Sequence, residues 1–90
     1  MLTKKEEEVI KRCARKFNVS SVLLFGSSVS QKDAADIDLA VKGIRTGLFF
    51  KFYGELFKAL DKPVDLIDLN DADNYFMNRI LEGCRVIYEA

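Results

Sequence analysis

The stretch Val22-Leu23-Leu24-Phe25-Gly26-Ser27, followed soon after by Asp36-Ile37-Asp38-Leu39-Ala40-Val41, decides how this chain is read. The first is a short, continuously apolar run bounded by turn residues, which is the pattern of a buried strand. In the second, Ile37, Leu39 and Val41 alternate with Asp36, Asp38 and Ala40, so one face of a strand is apolar and the other carries two carboxylates. Between them, Ser27 to Ala35 is small and polar and reads as a loop or a frayed helical turn.

Working outward, Thr3 and Glu6 fit a capping box that opens an amphipathic helix over about residues 3–17. Val9, Ile10, Cys13, Ala14 and Phe17 recur at three- and four-residue spacing, and Asn18 is a plausible stop. A second helix is expected over about 46–60, with Leu48, Phe49, Phe52, Leu56, Ala59 and Leu60 in one wide stripe. Phe50, Tyr53 and Phe57 spill beyond that stripe. They either widen the cover over a sheet or form an interface with another subunit. Lys62-Pro63 breaks the helix, and Val64-Asp65-Leu66-Ile67-Asp68-Leu69 is a third strand. Asn70 or Asp71 can cap a last helix over about 72–82, with Phe76, Met77, Ile80 and Leu81 inward. Gly83 ends it, and Cys84 to Tyr88 can close as a short strand. The order α-β-β-α-β-α-β predicts an α/β (α+β) fold, a small mixed sheet with helices packed on it.

The chain has 90 residues, which predicts one domain spanning 1–90. Lys and Arg (14) balance Asp and Glu (14), which removes the generic electrostatic reason to expect nucleic acid as a partner. The absence of histidine excludes His-based triads, His zinc sites and His general bases. Cys13 and Cys84 are too few for a zinc site and are expected reduced. The charged opening residues and the lack of a long apolar run predict no signal peptide, no membrane span and a cytoplasmic location. Chemistry is left to carboxylates, hydroxyls and backbone amides.

Three features carry it. Gly26-Ser27 sits where a buried strand ends; glycine allows a sharp turn and close approach of amides to an anion, though an ordinary turn has the same look. Asp36 and Asp38 project to the same side, roughly 7 Å apart along the strand. Their repulsion would be removed by a divalent cation, which suits oxygen ligands; a half-exposed strand with a polar face is the plainer reading. Asp65 lies in a run that otherwise reads as buried, where a carboxylate needs a partner or a metal. Asp68 is its rival, nearer the strand end and more easily solvated. Three aspartates from two strands beside a Gly-Ser turn supply the parts for two-metal phosphoryl or nucleotidyl transfer.

At these residues the chain resembles a known family. Leu24-Phe25-Gly26-Ser27, Asp36-Ile37-Asp38-Leu39 and Val64-Asp65-Leu66-Ile67 are similar to the signature of the polymerase-β-like nucleotidyltransferases. Its minimal antitoxin branch has about this length and order of elements. The resemblance implies a nucleotidyltransferase fold, with Gly26 and Ser27 holding nucleotide phosphates. It implies that Asp36 and Asp38 bind two magnesium ions and that Asp65 completes the metal site and acts as base toward an acceptor hydroxyl. ATP or another nucleoside triphosphate would be the substrate, and AMP the group transferred. The partner implied is a HEPN-domain toxin or another protein acceptor. Family members commonly carry one or two arginines soon after the serine. Here Ser28 to Ala35 hold none, and Lys32 is the cation that could replace one, as a point charge.

Two functions follow. The first is an enzyme that adds a nucleotide to a hydroxyl of a partner protein. The alternative is a binding antitoxin that neutralises its partner by complex formation, with the arginine-free loop and the aromatics of residues 49–57 as its motivation. Self-association is open as well.

Overall fold

The computed structural model describes residues 2–29 and 35–90. The elements follow the expected order: α1 (Lys4–Lys16), β1 (Ser21–Leu24), a 3₁₀ turn (Gly26–Val29), β2 (Ile37–Lys42), α2 (Phe49–Ala59), β3 (Val64–Asp68), α3 (Asn74–Leu81) and β4 (Arg85–Glu89). Thr3 caps α1 in the predicted box: its hydroxyl accepts from the Glu6 amide at 3.1 Å, and its own amide donates to the Glu6 carboxylate at 2.8 Å. Asn18, with φ 55°, turns the chain out of α1 toward β1.

The four strands lie in the order β3-β2-β1-β4. β1 is antiparallel to both β2 and β4, while β2 and β3 run parallel, joined by α2 as their crossover. The sheet is therefore mixed, as the alternation of helices and strands required.

Both faces are covered, unequally. On one, Ile10, Cys13 and Ala14 of α1 and Phe52 and Leu56 of α2 pack on Val22, Leu24, Ile37, Leu39, Val41, Val64 and Leu66. Phe52 and Leu56 have no exposed surface, and burying each contributes roughly 1.5–3 kcal/mol. On the other face, Ile80 of α3 meets Leu23, Ala40 and Leu69, with Met77 at the margin. The alternation in β2 thus sends Ile37, Leu39 and Val41 to the two-helix side and Asp38 and Ala40 to the α3 side. Because α3 is only eight residues long, it leaves part of that second face open.

The last helix differs from expectation. Its cap is Asp73, which accepts from the Phe76 amide at 2.7 Å, rather than Asn70 or Asp71. Asn70 and Asp71 belong to the turn that leaves β3, where the Asn70 amide donates to Asp68 at 3.0 Å. A two-turn helix touches the sheet through few residues: Ile80 is buried and Met77 half-buried, but Phe76 and Leu81 are exposed. α2 begins at Phe49 rather than Thr46, and Leu48 at its N-cap makes no side-chain capping bond. Ala59, placed in the stripe, is exposed, whereas Tyr53 is half-buried and its hydroxyl donates to the Val64 carbonyl at 2.6 Å. Cys13 is buried and Cys84 half-buried, both as free thiols.

Candidate active site

The site is built where β1 ends against the start of β2. Leu24 pairs with Leu39, and the next amide, that of Phe25, donates to the Asp38 carbonyl at 3.0 Å. Gly26 then turns the chain with φ 67°, a conformation most side chains avoid, and opens the 3₁₀ turn. The glycine is needed for space as well. A Cβ there would stand 2.8 Å from the Asp38 Oδ2. The absence of a side chain at Gly26 is what gives the Asp38 carboxylate its position.

Ser28 secures the same corner. It is 2% exposed, the one buried polar residue among those described. Its hydroxyl donates to the Phe25 carbonyl at 2.8 Å and accepts from the Asp38 amide at 3.2 Å. One hydroxyl therefore closes the turn and fixes the backbone of Asp38. The sequence reading left Ser28 in the polar loop. The signal for it was the second serine of Gly-Ser-Ser, three residues after Phe25, the spacing of a hydroxyl that bonds back to the main chain.

Asp38 is half-buried in β2, with Asp65 opposite it in the parallel ladder. Its pKa is raised by partial burial first, then by the negative charges of Asp65 and Asp36. Asp65 and Asp36 are thus both near enough to act on Asp38. Asp36 is exposed and precedes β2 instead of lying within it: the ladder starts at Ile37, whose amide donates to the Pro63 carbonyl at 2.9 Å. Asp65 is exposed, not buried as the apolar run around it suggested. β3 is an edge strand, so Val64 and Leu66 turn inward while Asp65 faces out on the alternate side. Asp68 is held by the turn after β3 and stands three residues further along that strand from the Asp38–Asp65 pair. Lys32 lies outside the described residues, and Ser27 contributes the backbone of the 3₁₀ turn.

Among the described residues, no three acidic or thiol side chains are drawn into a ready metal-holding group. The donor chemistry nonetheless suits a hard divalent cation: oxygen donors only, without sulfur or nitrogen, on neighbouring backbone positions. The repulsion that raises Asp38 is what a cation would offset, and the gap at Gly26 keeps its carboxylate free to turn outward.

This arrangement, a strand ending in a glycine-led turn beside carboxylates on a parallel pair, places the protein among nucleotidyltransferase folds. The chain belongs to the Polymerase beta, Nucleotidyltransferase family, which it matches over residues 7–90. It is similar to a chain in the crystal structure of a toxin–antitoxin complex with AMP-PNP, at 25% identity and a TM-score of 0.77, covering 93% of this chain and 73% of that one. It is also similar, at 24% identity and a TM-score of 0.74 over 94% of this chain and 71% of the other, to one in a structure of the tri-AMPylated Shewanella oneidensis HEPN toxin with its MNT antitoxin. An MntA–HepT complex matches with a TM-score of 0.75 at 22% identity, over 98% of this chain and 74% of that one. All three are structures of toxin–antitoxin complexes. No curated protein matches the sequence significantly.

Proposed function

We propose that this chain is a magnesium-dependent nucleotidyltransferase that moves AMP from ATP onto a hydroxyl of a HEPN-type toxin and so serves as its antitoxin in the cytoplasm. We assign the whole of residues 1–90 to that one domain. The observation that carries the reading is the corner at Gly26, where Asp38 occupies the space of a missing Cβ opposite Asp65. Similar structures support the substrate and partner: one contains AMP-PNP and another an AMPylated HEPN toxin.

In this reading the amides of the 3₁₀ turn, from Gly26 and Ser27 onward, hold phosphate oxygens, with Lys32 as a further cation toward the nucleotide. Asp36, Asp38 and Asp65 hold two magnesium ions, which when bound supply positive charge against the triphosphate and the leaving pyrophosphate. Asp65, exposed at the sheet edge, faces the solvent from which an acceptor would arrive and takes the proton of its hydroxyl. The hydroxyl oxygen bonds to the α-phosphorus, and the bond from that phosphorus to the pyrophosphate oxygen breaks. Ser28 keeps the Asp38 backbone in register throughout.

The test is transfer of α-labelled AMP to a purified HEPN-domain protein with Mg²⁺, beside an Asp38→Asn control. A labelled band that the control lacks supports the reading; equal labelling by the control overturns the site. A second reading, neutralisation by complex formation alone, is favoured by α2, where Phe50 is 82% and Phe57 60% exposed. It predicts that Asp38→Asn neutralises the toxin as well as the parent chain does.

A further inference from the structure

The outer side of α2 has no role in the chemistry just described, and its composition is unusual for a solvent-facing helix. Phe50, Gly54 and Phe57 are spaced i, i+4, i+7 and share one side of it. Phe52 and Leu56, which face the sheet, fix the direction of that side as outward. Gly54 stands at its middle. In a helix interior glycine is the least favourable residue after proline, so its presence calls for a reason. The fold gives none: a Cβ at Gly54 would meet nothing within 4 Å. The remaining physical reason for a glycine is close approach by something outside the chain.

The other border of this ridge is basic. A groove of about 750 Å³ runs between α2 and the end of α1, lined by Arg45, Lys51, Gly54 and Lys58, with Lys16 and Glu55 at its far wall. Among the described residues Glu55 is the sole carboxylate lining it, and it already pairs with Lys16 at 2.9 Å. Arg45, Lys51 and Lys58 are exposed and make no ion pair among the described residues. Pairing α2 with α2 of a second copy across Gly54 would bring Lys51 and Lys58 of both copies together, so charge disfavours self-association on this face.

We propose that this ridge docks an acidic amphipathic helix of the partner protein. The partner's helix crosses α2 at Gly54, its apolar side lies between Phe50 and Phe57, and its carboxylates meet Arg45, Lys51 and Lys58. This rests on the reading that the partner is a HEPN-domain protein, and it adds a surface distinct from the carboxylate site: α2 covers the opposite face of the sheet from Asp38. Holding the partner and modifying it are then separable.

Gly54→Leu tests this without threatening the fold, because a Cβ there meets nothing within 4 Å and helix propensity improves. Binding is measured by titrating the purified full-length chain with the purified HEPN-domain protein, alongside AMP transfer to it. The expected result is a melting temperature equal to or above the parent, with affinity weakened at least tenfold. Lys51→Glu/Lys58→Glu should weaken binding similarly and flatten its dependence on salt. Unchanged affinity in Gly54→Leu overturns the proposal while leaving the transferase reading intact. Binding that depends on Gly54, with no transfer by the parent chain, upholds the docking surface and overturns the transferase reading. A parent chain that sediments as a dimer, and Gly54→Leu as a monomer, assigns the ridge to a second copy and overturns the partner helix. A parent chain that binds no HEPN-domain protein overturns it too.

Discussion

Alanine at Gly26 and alanine at Gly83 should cost the fold about the same and the chemistry very different amounts. Both glycines have positive φ, 67° and 76°. An alanine forced into that region costs roughly 1–2 kcal/mol. For a domain of this size each kcal/mol lowers the melting temperature by about 4–8 °C. At Gly83 nothing lies within 4 Å of the new Cβ, so the backbone cost is the whole effect. At Gly26 the Cβ would stand 2.8 Å from the Asp38 Oδ2 and 3.6 Å from its Cγ. The carboxylate is the movable party, since Ser28 and the ladder hold the backbone. Rotating it away relieves the clash and adds little to the stability loss. A displacement of about 1 Å at a reacting group can cost on the order of 100-fold in rate. Thermal melts followed by circular dichroism should therefore place the two variants within a few degrees of each other. Transfer of labelled AMP should persist in Gly83→Ala and fall about 100-fold in Gly26→Ala. If Gly26→Ala keeps most of its transfer rate, or Gly83→Ala loses as much, the corner is not what positions Asp38.

Asp38→Asn should melt higher than the parent at neutral pH. A carboxyl whose folded pKa is raised binds its proton more tightly in the native state, so its stability deficit grows as pH rises from its ordinary value of 3.8 through the folded value. Melts at a series of pH values should show the gain at pH 7 and its disappearance below pH 3.8; a gain independent of pH would contradict the cause given. Ser28→Ala leaves the part-buried Asp38 amide without its partner and should cost about 1–3 kcal/mol, measured by urea denaturation, with a drop in transfer that excess Mg²⁺ does not fully restore. Tyr53→Phe removes the bond to the Val64 carbonyl and should cost about 0.5–1.5 kcal/mol with transfer retained, since β3 keeps its ladder to β2.

The residues that were legible in the sequence are those whose neighbours along the chain determine their environment. The apolar run 22–25 and the alternation in 36–41 sufficed to place β1 and β2, because a strand paired on both sides must bury its apolar residues. Asp38 stood out as a candidate for the same reason: a carboxylate there is conspicuous. What escaped depends on which element ends up at an edge or how short it is. Asp65 was read as buried from Val64, Leu66 and Ile67, but strand order, which local sequence does not carry, puts β3 at the margin. The inward set of the last helix was too large because two turns cannot present four residues to a sheet. Ser28 was missed because its two hydrogen bonds, to Phe25 and to Asp38, join positions that only the folded corner brings together.

Strand order also gives the three aspartates unequal permanence. Asp38 sits in β2, bonded on both sides, while Asp65 sits on an edge strand and Asp36 just outside the ladder. Local opening follows such differences: amides of the β1–β2 ladder should exchange their protons only when the whole domain unfolds, and amides of β3 through smaller, more frequent openings. The carboxylate at the centre of the site is therefore anchored to the slowest part of the molecule. Asp65, the base in the proposed reaction, is free to withdraw and return without disturbing it.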